Sequence, residues 1–120
     1  MAKHYDLGIK GEEIALIELK NKGYEILETN WRHDRAEIDI ISVKDNFLVI
    51  VEVKTRSTRA FGNPEEAVND VKEFNLIRAA EAYIEENDID LECRFDIVSI
   101  IISNDTYAIE HFEDAFTPTA

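Results

Sequence analysis

Hydrophobic and polar positions alternate with two different periods along the chain, and this pattern predicts seven secondary-structure elements. Helical spacing marks residues 7–22, which end at Gly23, and residues 65–86, with Pro64 near the first helical position. Alternation with a period of two predicts strands at residues 24–30, 37–43, 47–54, 94–103 and 106–112. The order α-β-β-β-α-β-β predicts an α/β fold with a mixed sheet of about five strands flanked by helices.

Length and composition are typical of one globular domain. The chain has 120 residues, of which 45% are hydrophobic and 32% charged. We therefore expect a single domain over residues 1–116, followed by a short C-terminal tail over residues 117–120. No apolar run reaches the roughly 20 residues that span a bilayer, and the first residues do not resemble a signal peptide. Cys93 is the only cysteine, which excludes an intrachain disulfide. These features predict a cytoplasmic protein without a membrane partner.

Charge is distributed unevenly over the sequence. The net charge of −13 argues against broad, non-specific binding of nucleic acid, because Lys and Arg drive phosphate binding. Residues 31–59 nevertheless carry six positive and five negative side chains, a net of +1, whereas residues 81–120 carry one positive and eleven negative side chains, a net of −10. The basic cluster therefore has two interpretations that remain open, a solvated surface or a contact surface for nucleic acid.

The hairpin predicted at residues 37–54 carries charges among its most apolar strands. If Asp45 and Asn46 form a two-residue loop, the numbers of opposing residues sum to 91. Asp39 then lies opposite Glu52, and Glu37 lies opposite Lys54 on the same face of the sheet. Directly opposed residues have Cβ atoms about 4.5–5.5 Å apart, so two like charges at Asp39 and Glu52 destabilise the hairpin unless something offsets them.

Three interpretations account for these facing acids. Lys54 lies two residues from Glu52 on the same face and can act as a structural counter-ion. A divalent cation is the second candidate, because Mg²⁺ prefers hard oxygen ligands and takes one or two carboxylates together with water and phosphate oxygens. The third interpretation is a frayed strand end at which the acids reach water. Geometry alone leaves all three open.

The residues of this hairpin resemble a known signature. Asp39, followed by a hairpin and Glu52-Val53-Lys54, resembles the split D…(D/E)-x-K signature of the restriction-endonuclease-like superfamily of metal-dependent nucleases. The wider sequence resembles one bacterial family, the YraN-like proteins. Its landmarks are present as Gly11-Glu12, Ala15, Gly23-Tyr24, Asn30-Trp31-Arg32, Glu37-Ile38-Asp39, Val51-Glu52-Val53-Lys54-Thr55-Arg56, Phe61-Gly62, Pro64, Ala67-Val68 and Arg94-Phe95-Asp96. One departure is Ala36, where the family usually has glycine.

The placement of the acids and the lysine is also similar to that in archaeal Holliday-junction resolvases. This resemblance implies catalytic roles for Glu12, Asp39, Glu52 and Lys54. Asp39 and Glu52 are then metal ligands, and Glu12 on the first helix completes the metal site. The implied cofactor is Mg²⁺ or Mn²⁺, and the implied substrate is DNA of branched or damaged structure. A homodimer is a candidate assembly, because two active sites are needed to cut both strands. The alternative is a nucleic-acid-binding or adaptor protein that keeps the fold with little or no catalysis.

Phosphodiester hydrolysis gives each of these residues a chemical role. A Mg²⁺ ion on Asp39 and Glu52 polarises the phosphate and acidifies a water molecule. Lys54, beside two carboxylates, is expected to stay protonated, to orient water and to stabilise charge. Arg56 and Arg59 follow the strand and, with Arg32, are the candidate contacts to flanking phosphates.

Other charged residues are expected to be structural. Glu37 is predicted to form an ion pair with Lys54, and Asp96 to pair with Arg94 or a neighbouring strand. The three histidines, His4, His33 and His111, show no metal-ligand spacing and are expected at the surface. Crowding of the acids predicts at least one carboxylate with a raised pKa. In metal-free buffer, Asp39→Asn and Glu52→Gln are therefore expected to be neutral or stabilising.

Overall fold

Two helices and five strands make up the part of the chain that a computed structural model describes, residues 3–57 and 70–116. The helices are α1, Lys3–Asn21, and α2, Asp70–Glu86. The strands are β1, Glu25–His33; β2, Ala36–Lys44; β3, Phe47–Arg56; β4, Glu92–Ser103; and β5, Thr106–Phe116. The predicted α/β fold with a five-stranded mixed sheet is confirmed. The predicted start of the second helix at residue 65, after Pro64, lies outside the described residues.

The strands lie in the sheet in their order along the chain, β1-β2-β3-β4-β5. Neighbouring strands are antiparallel except β3 and β4, which are parallel. A parallel pair needs a crossover connection, and α2 lies in the segment that joins β3 to β4. The sheet is therefore mixed because of a single crossover between two antiparallel parts.

Local sequence explains where the elements begin and end. Gly23, at φ 92°, follows α1; its N–H donates to Lys20 O, and the N–H of Tyr24 donates to Leu19 O. These two bonds form the Schellman motif, which glycine favours. Tight loops join β1 to β2, β2 to β3 and β4 to β5, and their first residues are Asp34, Asp45 and Asn104, with φ near 55°. The predicted turns at Asp45-Asn46 and Asn104-Asp105 are confirmed.

All five strands are longer than their sequence pattern predicts, and β1 and β5 extend furthest at their C-terminal ends. Strand β1 continues past residue 30 to His33, because Trp31 pairs with Ile38 and His33 pairs with Ala36. Strand β5 continues past residue 112 to Phe116, which pairs with Phe95 of β4. In both cases pairing with a neighbouring strand extends the element beyond the segment in which polarity alternates.

Each face of the sheet packs against one helix. On the α1 face the buried core includes Ala15, Leu19, Ile40, Val49, Val51, Val98 and Ile100. On the α2 face it includes Ile38, Ile41, Leu48, Ile50, Leu76, Ala79, Tyr83 and Phe95. In β3 the odd-numbered residues thus face α1 and the even-numbered residues face α2. Alternation therefore places Glu52 on the α2 side of the sheet. Neither described helix combines the length and apolar character needed to cross a bilayer.

Candidate active site

Strands β2 and β3 stop pairing where the predicted acids begin. Their register follows the predicted sum of 91 in all five recorded pairs, of which Ile40–Val51 is the last. Beyond this pair, the backbone N–H of Val53 donates to Asp39 Oδ2 at 2.8 Å. A side chain thus accepts a hydrogen bond that a regular antiparallel ladder gives to a backbone carbonyl. The Asp39 carboxyl group is therefore held in place by the neighbouring strand at the end of the ladder.

Asp39 and Glu52 lie close enough for the charge of Glu52 to act on the Asp39 carboxyl group. Glu52 is buried, with 5% of its surface exposed. Burial, followed by the charge of Glu52, raises the pKa of Asp39 to about 8, while the hydrogen bond from Val53 acts in the opposite direction. Asp39 consequently takes up a proton more readily than an exposed aspartate does. The two acids that the predicted register places opposite each other are therefore brought together, with the raised pKa that crowding predicts.

Two lysines neutralise Glu52. Its Oε2 lies 3.4 Å from Nζ of Lys54 and also contacts Nζ of Lys72, which α2 contributes. Burial and the neighbouring Lys72 lower the pKa of Lys54, while Glu52 acts against this shift. Burial also acts to lower the pKa of Lys72, but its contacts with Glu52 and Lys54 outweigh burial and raise it. Lys54 therefore loses its proton more readily than an exposed lysine, whereas the sequence predicts that it stays protonated.

Lys72 is a site residue that the sequence did not reveal. It lies 20 positions from Glu52 in another element, and no local period connects the two. Only the packing of α2 over β2, next to β3, brings the amine to the carboxylate. The expectation that Glu52→Gln is neutral or stabilising without metal changes accordingly, because the substitution leaves Lys54 and Lys72 without their shared counter-ion.

Helix α1 reaches the same site through a glycine. A Cβ atom at Gly11 would lie 1.8 Å from Oγ1 of Thr55, so the helix can approach β3 this closely only without a side chain there. This approach brings Glu12 to a cleft of about 320 Å³, which is lined by Leu7, Gly8, Glu12, Asp39, Val53, Lys54 and Thr55. Burial is the main cause that raises the pKa of Glu12, and the charge of Glu52 adds to it. The adjacent Glu13 is exposed, as the rotation of about 100° per residue predicts.

The structure places two of the three arginines that are predicted to bind nucleic acid. Nη2 of Arg32 lies 3.9 Å from Oε1 of Glu37, its partner in the β1–β2 ladder. The predicted ion pair between Glu37 and Lys54 is therefore wrong, because β2 and β3 no longer pair at these positions. Arg56 is the last residue of β3, and Arg59 lies outside the described residues.

The donor chemistry of the site fits one divalent cation. Asp39 and the neighbouring Glu52 offer hard carboxylate oxygens, and Mg²⁺ typically takes one or two carboxylates and completes its shell with water and phosphate. Residues 3–57 and 70–116 contain no group of three or more acidic, histidine or cysteine side chains arranged for metal binding. Glu12 lines the same cleft, and its role as a third ligand stays a prediction.

A second buried polar cluster surrounds Asp96. Arg94 donates from Nε and Nη2 to its carboxylate, each at 2.9 Å, and Nε2 of His111 lies 2.7 Å from Oδ2. Burial acts to raise the pKa of Asp96, but these hydrogen bonds outweigh burial and lower it. Among the described residues, no buried side-chain nitrogen or oxygen lacks a partner. The predicted pairing of Asp96 with Arg94 is confirmed. The expected surface position of His111 is wrong, because 4% of its side chain is exposed.

Comparisons with known proteins match most of the chain. The model of a family described as "Uncharacterised protein family UPF0102" matches residues 11–100. A UPF0102 protein of Flavobacterium psychrophilum is 53% identical over 116 residues, which cover 97% of this chain and 98% of that protein. A UPF0102 protein of Bacteroides thetaiotaomicron is 47% identical over 98% of both chains, and one of Alkaliphilus oremlandii is 44% identical over 92% of this chain and 97% of its own. The matched range includes Glu12, Asp39, Glu52 and Lys54.

Proposed function

We propose that the chain, which belongs to the UPF0102 family, is a Mg²⁺-dependent nuclease of the restriction-endonuclease-like superfamily that hydrolyses phosphodiester bonds of DNA. The observation that carries the proposal is the Asp39 carboxyl group, which Val53 N–H holds where β2 and β3 separate and on which the charge of Glu52 acts. Crowding of two acids at a partly buried position costs stability. A bound cation would offset the repulsion between the two acids and would take part in phosphodiester hydrolysis.

The residues of the chain have distinct tasks in this proposal. Asp39 and Glu52 hold the cation, with Glu12 at the edge of the cleft. Mg²⁺ or Mn²⁺, when bound, supplies positive charge at the phosphate and lowers the pKa of a water molecule. The Val53 N–H keeps the Asp39 carboxyl group oriented. Lys54 lines the same cleft and orients the attacking water or stabilises charge on the phosphate.

Lys72 serves as a counter-ion of Glu52 in this proposal. In the described structure Lys54 and Lys72 share one carboxylate oxygen of Glu52. If Asp39 and Glu52 held a cation, Glu52 would depend less on the two lysines for charge balance. Lys54 or Lys72 would then be placed to contact the substrate phosphate, for which Lys acts as a point charge. Lys72 thereby joins the four predicted catalytic residues, Glu12, Asp39, Glu52 and Lys54.

The proposal is tested by metal-dependent cleavage. Labelled duplex, single-stranded, flap and four-way DNA are incubated with the protein and Mg²⁺ or Mn²⁺, and parallel reactions contain chelator. We expect cleavage that needs metal, is lost in Asp39→Asn and Glu52→Gln, and persists in Glu13→Gln, which changes an exposed neighbouring acid. Faster cutting of flap or four-way DNA supports a branched substrate. No cleavage of any DNA by the folded wild type, or equal cleavage by Glu52→Gln, refutes the nuclease proposal.

A nucleic-acid-binding or adaptor protein is the second candidate function. The observation that favours it is that Lys54 and Lys72 both contact Glu52 and balance its charge. The net charge of −13 also leaves little surface for gripping a duplex, although a homodimer would enlarge it. This candidate predicts that the chain binds DNA with equal affinity in chelator and in Mg²⁺ and that Glu52→Gln leaves binding unchanged. Binding without cleavage in both metals favours it.

A further inference from the structure

A second open pocket, larger than the cleft at the carboxyl groups, lies at the tip of the β1–β2 hairpin. Its volume is about 560 Å³, within the usual range for sites that hold small molecules. The pocket is lined by His33, Asp34, Arg35, Ala36, Asn75 and Arg78. The hairpin supplies the first four of these residues, and α2 supplies the last two. None of them belongs to the proposed catalytic group.

Two guanidinium groups, those of Arg35 and Arg78, give this pocket positive charge. Arg35 and Arg78 are both exposed, and neither has a recorded ion pair with another residue within 3–57 or 70–116. Cζ of Arg78 lies 5.7 Å from the ring centroid of Phe74, which is itself 58% exposed. This cation–π contact orients the guanidinium without neutralising it. In a chain of net charge −13, two such arginines in one pocket point to an anionic ligand.

An aromatic platform lies beside the arginines. The rings of His33 and Trp31 are nearly parallel, at 5°, with centroids 6.2 Å apart, and Trp31 meets Tyr83 edge-on at 5.1 Å. Trp31 thus packs against one face of the His33 imidazole, while 34% of the His33 side chain remains exposed. Asp34 lies at the rim, with Oδ2 3.5 Å from His33 Nε2. Flat rings next to guanidinium groups are the combination that holds an unstacked base and its phosphate.

Two elements connect this pocket to the proposed catalytic group. Along β2, Ala36 precedes Asp39 by three residues, which corresponds to about 10 Å. Along α2, Lys72 contacts Glu52, and Arg78 lies six residues later, about 9 Å along the helix axis. Both routes give a similar separation of about 10 Å. One strand of nucleic acid can therefore occupy both places.

We propose that the pocket formed by the β1–β2 hairpin and α2 binds an unpaired nucleotide of a nucleic-acid strand. Arg35 and Arg78 bind the phosphate, and the base stacks on His33, where the side-chain amide of Asn75 can contact its edge. The proposal rests on the proposed nuclease function only for its place in the reaction. It names the substrate as a strand with a single-stranded segment a few nucleotides from the bond that is cut.

The experiment measures binding separately from cleavage. Fluorescence anisotropy in chelator gives the Kd of a labelled single-stranded DNA, the same sequence as RNA, and a blunt duplex, at several salt concentrations. We expect Arg35→Ala and Arg78→Ala each to weaken single-strand binding and to reduce its salt slope by about 0.7. His33→Ala is expected to weaken it about fivefold or more. Arg35→Lys and Arg78→Lys, which keep the charge, are expected to lie between the wild type and the alanine variants.

Controls decide between this pocket and a general charge effect. Lys20→Ala removes one exposed positive charge from α1, away from the pocket, and is expected to change Kd less than twofold. Equal losses in the Lys20 and arginine variants, or equal losses for blunt duplex and single strand, overturn the proposal. No binding of any oligonucleotide by the wild type also overturns it.

The DNA and RNA arms identify the type of strand. Binding in chelator without cleavage in Mg²⁺ refutes only the nuclease, and cleavage that the arginine variants leave unaffected refutes only the pocket.

Discussion

Replacing Asp39 by asparagine removes the charge that the fold accommodates least well. Asparagine keeps an acceptor for the Val53 N–H, so the substitution separates the hydrogen bond from the carboxylate. The pKa of Asp39 rises from 3.8 to about 8 on folding. A group with a raised folded-state pKa contributes stability below its unfolded value, and this stability is lost as the pH rises through the folded value. Wild-type stability should therefore fall between about pH 4 and pH 8, relative to that of Asp39→Asn.

The size of this loss follows from the shift. A shift of about four pKa units corresponds to about 5–6 kcal/mol in the free energy of unfolding, as an upper limit. Water reaches part of the side chain, and Lys54 and Lys72 lie nearby, so an effective dielectric constant near 20 applies and the loss shrinks to about 2 kcal/mol. For a domain of this size, we expect a Tm about 8 °C higher for Asp39→Asn at pH 8.5 and equal Tm values near pH 4.

Thermal melts in chelator at pH 4, 5.5, 7 and 8.5 measure the effect. Glu13→Gln is the matched control, because it makes the same change at an exposed acid and should follow the wild type at every pH. Added Mg²⁺ or Mn²⁺ should then raise the Tm of the wild type and of Glu13→Gln but not that of Asp39→Asn. Parallel curves for the wild type and Asp39→Asn from pH 4 to pH 8.5 would falsify the assignment of a strained carboxyl group to Asp39.

Three further predictions concern the groups that support the site. Glu52→Gln in chelator should lower the free energy of unfolding by about 1–2 kcal/mol. The added Lys72→Met should recover part of this loss in chemical denaturation, since it removes one of the two positive charges that Glu52 balances. Gly11→Ala should lower the free energy of unfolding by about 1–3 kcal/mol, because the added methyl group meets Thr55. Thr55→Gly should destabilise the Gly11→Ala variant less than it destabilises the wild type. Additive losses in this double-mutant cycle would contradict the close contact. Asp96→Asn should lower the free energy of unfolding by about 3 kcal/mol, most clearly above pH 5. The reason is that a carboxyl group with a lowered pKa stabilises the fold only while it is ionised. An unchanged Tm at pH 7 would refute this prediction.

The hairpin was predictable from sequence because its register depends on local information. A two-residue loop at Asp45-Asn46 fixes which residues face each other, and the apolar alternation fixes the face. The proximity of Asp39 and Glu52 follows from these two facts alone. The separation of the strands beyond Ile40 does not follow from them, and it is the reason that Glu37 pairs with Arg32 and not with Lys54.

Contacts between distant elements were not predictable in the same way. Lys72 reaches Glu52 only because α2 packs over β2, the strand next to β3. Likewise His111 appears in the sequence as a polar residue in an exposed strand, but the pairing of β5 with β4 brings it to Asp96. The arginine pocket joins a hairpin turn to a helix more than 30 residues later. Such contacts depend on how helices and strands pack together, which no periodic pattern in the sequence specifies.

Folding alone does not explain the acid at position 39. The structural task of this side chain is to accept one hydrogen bond from the Val53 N–H, and an asparagine oxygen performs it without the charge that burial and Glu52 oppose. The carboxyl group therefore adds a cost that the fold does not require. A protein that keeps two acids close together, with Lys54 and Lys72 to balance them, has the arrangement expected of a site that exchanges its counter-ion when a cation and a phosphate arrive. This excess of acid over structural need is the strongest physical reason to look for metal-dependent chemistry at Asp39 and Glu52.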